Sequence, residues 1–183
     1  MRAITAARKL IFGFTIVVLP ALANDTVKVN RTVPYQDETV GTPEIRNECE
    51  WNTRLIENLV KYSKGRVEIT DQDTRNMPGK TLTLVVTAVH SAGGSVFSGP
   101  KWGRIRGELR QDGKVVSAFK VGAISAADVF RWSACGTLNK VSKKLGLYTA
   151  KWLRNPVDNA EIGDREDTVP EVAPEPEGAK ETK

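Results

Sequence analysis

Residues 81–88 read TLTLVVTA, and this stretch decides the fold class because its apolar side chains recur with a period of two. Leu82, Leu84 and Val86 fall on one side and threonines occupy most of the intervening positions. Such alternation predicts a β-strand with one buried face and one polar face. A shorter strand around Val67 precedes it.

Two further strands flank the turn pair Asp112-Gly113, which is typical of a β-hairpin. A two-residue turn would place Ile105 opposite Lys120 and mix core and solvent positions. A three-residue loop, with Gly113 in the left-handed conformation, pairs Ile105 with Phe119 and keeps each face uniform. We therefore predict the three-residue loop.

Amphipathic helices are predicted on both sides of these strands. Apolar residues recur at helical spacing over residues 44–64 and again from about Ser133 to Asn155. The order helix, four strands, helix predicts an α+β fold, a two-layer sandwich in which two helices cover one face of an antiparallel sheet of about four strands. Residues 27–33 are a possible extra edge strand.

The N-terminus predicts export. Three basic residues precede an apolar run over residues 10–22, and Ala21-Leu22-Ala23 is a pattern that signal peptidases cut after. The run is shorter than the roughly 20 residues of a spanning helix, so no stable membrane anchor is expected after cleavage. We expect a periplasmic protein with these parts: a signal peptide over 1–23, an N-terminal segment over 24–41, one domain over 42–156 and an acidic, Pro/Glu-rich disordered tail over 157–183.

Charge is unevenly distributed between the predicted domain and the C-terminal segment. Residues 24–156 carry a net charge of +8, whereas residues 157–183 hold nine acidic and three basic side chains. The segment either provides solubility and spacing or folds back to screen a basic face. Nucleic acid is excluded as a partner because it is normally absent from the periplasm.

Cys49 and Cys135 lie on the apolar stripes of the two predicted helices, and an oxidising compartment favours a disulfide between them. The alternative is a Cys-His nucleophile that uses His90, but no third group is evident to orient the histidine. The spacing of Cys, His and carboxylates matches no metal site, and no cofactor motif is present, so we predict neither metal nor cofactor.

Two surfaces are candidates for recognition. Residues 90–103 form a long Gly-containing connection that carries aromatic and basic side chains, as binding loops often do. The alternative is a hairpin tip without a binding role, whose aromatic side chains pack on the sheet edge. The second candidate is the basic, outward side of the adjoining strands. Its alternative interpretation is an ordinary solvated strand face whose positive charges are partly balanced by Glu108. The predicted binding residues are His90, Phe97, Lys101, Trp102, Arg104, Arg106 and Arg110, with Lys114 and Lys120 on the same strand face.

Several segments resemble a group of small exported proteobacterial proteins of unknown function. They are Glu48-Cys49-Glu50-Trp51-Asn52, the run from His90 to Gly107, Ala134-Cys135-Gly136-Thr137-Leu138 and Trp152-Leu153-Arg154-Asn155-Pro156. The resemblance implies an envelope location and a bacterial source, and it assigns no site residues. The strand, Gly-containing hairpin and closing helix are also similar to accessory domains of envelope assembly machines such as the curli secretion lipoproteins, which is an analogy of fold alone.

These observations favour a non-catalytic envelope protein that binds a protein or an anionic glycan through residues 90–103 and the adjoining basic strand face. One alternative is a periplasmic enzyme that uses carboxylates, with Glu108 or Asp128 as candidates. Another is a structural role, in which a second copy covers the outer sheet face.

Overall fold

The computed structural model describes residues 26–91, 100–125 and 134–164. The predicted signal peptide, Phe97 and Asp128 lie outside these residues, as does most of the predicted C-terminal tail. In chain order the elements are β1 Val27–Asn30, α1 Pro43–Glu48, α2 Trp51–Ser63, β2 Val67–Thr70, β3 Lys80–His90, β4 Lys101–Gln111, β5 Lys114–Ser125, α3 Ala134–Trp152 and β6 Ala160–Gly163.

The described strands form one mixed sheet in the order β2-β1-β3-β4-β5-β6. The α+β class is confirmed, but the prediction of about four antiparallel strands is wrong. Only the pairs β3-β4 and β4-β5 are antiparallel, and the other three pairs are parallel. Parallel neighbours need a crossover connection, which α1 and α2 provide between β1 and β2 and α3 provides between β5 and β6. The strand predicted at the edge, β1, therefore lies inside the sheet.

The single helix predicted over residues 44–64 is two helices. Thr42 caps α1 by accepting a hydrogen bond from the Ile45 backbone N–H at 3.4 Å. The chain then becomes extended at Cys49, with φ −102° and ψ 116°, before α2 begins at Trp51. The second predicted helix is confirmed as α3, with slightly narrower bounds.

The β4-β5 hairpin differs from its predicted register. Its turn has two residues, Asp112 and Gly113, both with positive φ, and Gln111 pairs with Lys114. A bulge then shifts the pairing beyond Leu109, so that Ile105 lies opposite Val121. The bulge restores core-to-core pairing that a two-residue turn alone would lose. The predicted faces of Ile105, Phe119, Arg106 and Lys120 were therefore right, although the loop length was wrong. The prediction failed near the turn, where Lys114 lies opposite Gln111 instead of on the face of Arg110.

The three helices and the core lie on one face of the sheet. The largest fully buried side chains include Trp51, Leu55 and Ile56 of the helices and Phe119 of β5. Gly146 allows close helix contact, because a Cβ there would lie 2.8 Å from the backbone nitrogen of Leu59. None of the described helices has the length and apolarity of a membrane span.

The opposite side, here called the outer face, is covered by described residues at one end only. The β2-β3 connection, residues 71–79, folds over that end: Thr74 Oγ1 donates to Asn30 Oδ1 at 2.8 Å, and Gly79 N–H donates to Asp112 Oδ1 at 2.7 Å. Thr74 and Thr81 are fully buried as a result. We call this the closed end.

Residues 157–164 were predicted to be part of a disordered tail, and this is wrong because they return along the sheet as β6. Trp152 Nε1 donates to the Val157 carbonyl at 2.9 Å, and Ala118 N–H donates to Asp158 Oδ1 at 2.8 Å. Ala160 and Ile162 then pack against the core cluster. The rest of the predicted tail, residues 165–183, lies outside the described residues.

Candidate functional site

The predicted disulfide is confirmed. Cys49, in the extended step between α1 and α2, is bonded to Cys135 in the first turn of α3, with their Cα atoms 5.1 Å apart. Both sulfurs are therefore unavailable as nucleophiles, and His90 has no thiol partner. The bridge links positions 86 residues apart and ties the N-terminal end of α2 to the N-terminal end of α3.

Strands β3 and β4 extend further than predicted, so His90 and residues 101–103 belong to the sheet and the connection between them is residues 91–100. His90 pairs with Trp102 across these strands on the outer face. Their rings stack with centroids 5.7 Å apart and planes 16° apart. The guanidinium of Arg104 lies over the indole at 5.5 Å from its centroid.

The two stacked rings differ in their exposure to solvent. Trp102 is only 2 % exposed, whereas His90 is exposed. Its ring is nevertheless partly desolvated by its neighbours, and this desolvation, together with the positive charge of Lys101, holds the pKa of His90 below its ordinary value of 6.5, so its imidazole is mainly neutral at pH 7. Contact of Trp102 with a ligand stays a prediction, and in the structure its indole supports Arg104.

Lys101 lies apart from the other predicted residues. Alternation along β4 puts it on the helix-covered side with Gly103 and Ile105, and it is 3 % exposed. Burial lowers the pKa of its ammonium group. Lys101 therefore cannot join a binding surface on the outer face.

Two rows of paired residues cross the outer face at the end away from the β2-β3 connection. The first row runs Ala88, Arg104, Gly122, Gly163, and the second runs Val85, Arg106, Lys120, Glu161. An open groove of about 590 Å³ lies over them, and Thr87 and Asp164 also line it. Gly122 and Gly163 have no side chains and form the bottom of the groove. The long side chains of Arg104, Arg106, Lys120 and Glu161 form its walls.

Charge in the groove is not fully balanced. Lys120 Nζ forms an exposed ion pair with Glu161 at 3.1 Å. Arg106 is exposed and lies directly opposite Lys120. It forms no ion pair with a carboxylate of residues 26–91, 100–125 and 134–164. Like charges opposite each other on neighbouring strands destabilise a sheet. The groove thus retains a cationic pair at some cost in stability.

Arg110, the third predicted arginine, lies at the closed end. Its guanidinium donates to Glu108 Oε2 at 2.6 Å and to the Gly113 carbonyl at 3.0 Å. Both side chains of this ion pair are mostly buried. Arg110 lies six positions beyond Arg104 in β4, roughly 20 Å along the strand. The predicted basic face therefore divides into a groove and a structural end that includes Arg110.

Asp164, at the end of β6, was missed by the sequence prediction, which counted it among the acidic residues of the C-terminal segment. Its carboxylate accepts hydrogen bonds from the Ile124 backbone N–H at 2.7 Å, Lys144 Nζ at 3.0 Å and Tyr148 Oη at 3.0 Å. Burial opposes ionisation of Asp164, but these three donors outweigh it and hold its pKa below the ordinary value. Burial and the adjacent carboxylate raise the pKa of Tyr148.

The described carboxylates around the groove do not form a general acid-base pair. Glu108 is held by Arg110, Glu161 by Lys120, and Asp164 stays ionised at neutral pH. A general acid needs a pKa near the working pH, which the depressed pKa of Asp164 does not supply. In the described part of the chain no three His, Cys, Asp or Glu side chains cluster as metal ligands would.

Comparisons with known proteins give structural similarity alone. No family model matches the chain, and no curated protein does. A PelC dodecamer from Paraburkholderia phytofirmans is 21 % identical with a TM-score of 0.39, covering 68 % of this chain and 91 % of that one. A protein from Xanthomonas campestris of the DUF330 family is 14 % identical with a TM-score of 0.41, covering 70 % and 85 %. Another similar structure, an uncharacterised protein, has a TM-score of 0.43 at 14 % identity and covers 73 % of this chain and 92 % of that one.

Proposed function

We propose that this protein is a non-catalytic binding module of the bacterial cell envelope, and that the groove on its outer face holds a segment of an anionic glycan. The observation that carries the proposal is the groove itself, in which Arg104, Arg106 and Lys120 surround a floor of small residues. No helix in the described residues covers it. Its volume lies within the range of small-ligand sites.

The chemistry of the groove favours an acidic sugar over a protein partner. Hot spots of protein interfaces are enriched in Trp, Tyr and Arg, and the groove offers arginines but no exposed aromatic anchor among its described lining residues, since the neighbouring Trp102 is buried. The groove offers guanidinium and ammonium donors, which bind carboxylates and sulfates through charge-assisted hydrogen bonds. Arg104 is held over the Trp102 indole, so part of the entropic cost of fixing its side chain is met before binding.

Binding of polygalacturonate, with neutral dextran as the uncharged comparison, tests the proposal by calorimetry. The variant Arg106→Gln, Lys120→Gln should bind polygalacturonate about tenfold more weakly or worse, since each lost ion contact is worth up to about 1 kcal/mol. The matched control Lys61→Gln, Lys114→Gln removes the same charge from exposed positions outside the groove and should bind like the wild type.

The variant Glu161→Gln should change the affinity for polygalacturonate in the opposite direction. Removing the carboxylate frees Lys120 from its ion pair and should strengthen binding a few-fold. Raising the salt concentration should weaken every interaction, because the groove is open and its charges are screened. Equal binding of dextran and polygalacturonate, or equal losses in groove and control variants, would refute the proposal.

A structural role has a separate test. If a second copy covers the outer face, the wild type should sediment as a dimer and the variant Arg106→Gln, Lys120→Gln should change that equilibrium. A monomer at concentrations where polygalacturonate binds would exclude this alternative.

A further inference from the structure

We infer that the acidic tail, defined as residues 165–183, occupies the groove of its own chain and competes there with anionic ligands. The inference rests on the groove being the binding surface proposed above. It assigns a regulatory role to a segment for which the sequence left two roles open, solubility and screening of a basic face.

The point where the described chain ends is the first argument. β6 is the edge strand of the described sheet on the side of the groove. Its last residue, Gly163, lies in the same row as Arg104 and Gly122. Asp164 lines the groove, and its backbone N–H donates to the Gly122 carbonyl at 3.0 Å. The tail therefore starts at the rim of the groove.

Charge complementarity is the second argument. The tail contains six acidic side chains and three basic ones; the acidic ones are Glu166, Asp167, Glu171, Glu175, Glu177 and Glu181. The groove presents Arg106 and Lys120, which lie opposite each other, against Glu161. Asp164 does not offset these cations, because its own charge is already held by Lys144.

Tethering is the third argument, and it favours this tail over that of a second copy. Glu166 is two residues beyond Asp164, so their Cα atoms are at most about 7 Å apart, and the 19 residues of the tail can span up to about 60 Å. A short tether gives an effective concentration in the millimolar range. Weak ion pairs that would not hold a free peptide can therefore keep a tethered one bound for much of the time.

The test compares two five-site variants of the full chain that carry the same net charge. In the tail variant, Glu166, Glu171, Glu175 and Glu177 become Gln and Asp167 becomes Asn. In the control variant, the exposed residues Glu38, Glu48, Glu57 and Glu68 become Gln and Asp71 becomes Asn. Both keep the length of the tail, so only the position of the lost charge differs.

Two measurements separate tail docking from ligand binding. Amide chemical shifts of Lys120, Gly122 and Gly163 report the tail directly, and they should move in the tail variant at low salt, remain as in the wild type in the control, and converge at high salt. Affinity for polygalacturonate reports competition, and the tail variant should bind it about three- to tenfold more tightly than the wild type at low salt.

The outcomes are distinguishable. If polygalacturonate binds wild type and tail variant equally and the groove amides do not move, the tail inference is overturned while the glycan proposal stands. If the amides move but neither protein binds polygalacturonate, tail docking is supported and the glycan proposal fails. Shifts that grow with protein concentration would mean that the tail binds another copy, which also overturns the inference.

Discussion

Arg110 and Arg106 lie on the same face of the same strand, yet their surroundings are opposite. The β2-β3 connection closes the end where Arg110 donates to Glu108 and to the Gly113 carbonyl. Arg106 is exposed beside Lys120, which carries the same charge. The residue type alone therefore does not show whether an arginine in a strand is structural or available for binding. Its role depends on whether the fold supplies a partner for it.

The same contrast holds for the protein as a whole. The helix-covered face and the closed end consist of buried and paired groups, which stabilise the fold. The groove contains the like-charged pair Arg106 and Lys120 and two glycines, and these features do not stabilise the fold. We therefore expect substitutions on covered surfaces to change the free energy of unfolding and substitutions in the groove to change binding.

The largest effect should come from the disulfide. Replacing Cys49 and Cys135 together by Ser should lower the free energy of unfolding by about 4 to 5 kcal/mol, because the bridge closes a long loop and limits the unfolded chain. Urea unfolding followed by circular dichroism measures this change. Reduction of the wild type should lower stability by a similar amount. A loss below about 1 kcal/mol would show that helix packing alone holds this layer.

Gly146→Ala tests how tightly the helices pack over the covered face. Helix propensity alone would make alanine stabilising by about 1 kcal/mol. A Cβ at this position would instead lie 2.8 Å from the Leu59 nitrogen and 3.0 Å from the Leu55 carbonyl oxygen, both backbone atoms. Overpacking of this kind costs about 1 to 3 kcal/mol, so urea unfolding should show a net loss. A gain in stability would mean that α2 and α3 can separate without cost.

The elements predicted correctly are those whose burial follows a period visible in the sequence. Residues 81–88 alternate over eight positions, and both long helices carry continuous apolar stripes. Of the four-residue strands, β2 was predicted, but β1 was placed at the sheet edge and β6 was missed. Strands this short are stabilised largely by their neighbours, so their own pattern is a weak guide to their place in the sheet. The signal for β6 was present, since Ala160 and Ile162 alternate with Glu161 and Gly163.

The candidate site was predicted in part. Alternation along β4 correctly places Arg104 and Arg106 on the face away from the helices. It could not show that Trp102 is buried or that Arg110 is paired, since both depend on contacts with residues distant in sequence. Asp164 was hidden by composition, because an acidic segment was treated as uniform although one of its carboxylates is bound by three donors.

Arg110→Ala examines the closed end. It removes the ion pair with Glu108 and the hydrogen bond to the Gly113 carbonyl, and it should lower the free energy of unfolding by about 1 kcal/mol. The loss is moderate because Arg110 Nε is buried without a partner among the described residues and is removed as well. Affinity for polygalacturonate should not change. A binding defect equal to that of the groove variant would erase the distinction between the two ends.

Asp164→Asn examines the rim of the groove through pH. The pKa of Asp164 is lowered in the folded protein, so its ionised carboxylate stabilises the fold above the ordinary value of 3.8. That contribution disappears as the pH falls below this value toward the folded pKa. The wild type should therefore lose stability more steeply than the variant as the pH falls from 5 to 3. Urea unfolding at several pH values measures the slopes, and Asp71→Asn controls for the loss of one exposed carboxylate elsewhere. Parallel slopes for wild type and Asp164→Asn would contradict the assignment.

Arg106→Glu is the sharpest test of the open groove, and its expected effect on stability is the smallest. A glutamate opposite Lys120 replaces a like-charge pair by an attractive one, so the free energy of unfolding should rise by about 0.2 to 1 kcal/mol. Affinity for polygalacturonate should fall in the same protein, because a cation of the groove has become an acid. Lys114→Glu, an exposed substitution at the turn, should raise neither stability nor binding. A more stable protein that binds less would show that the groove is kept cationic at the expense of the fold. A protein that loses both stability and binding would show instead that Arg106 belongs to the structural half of the sheet.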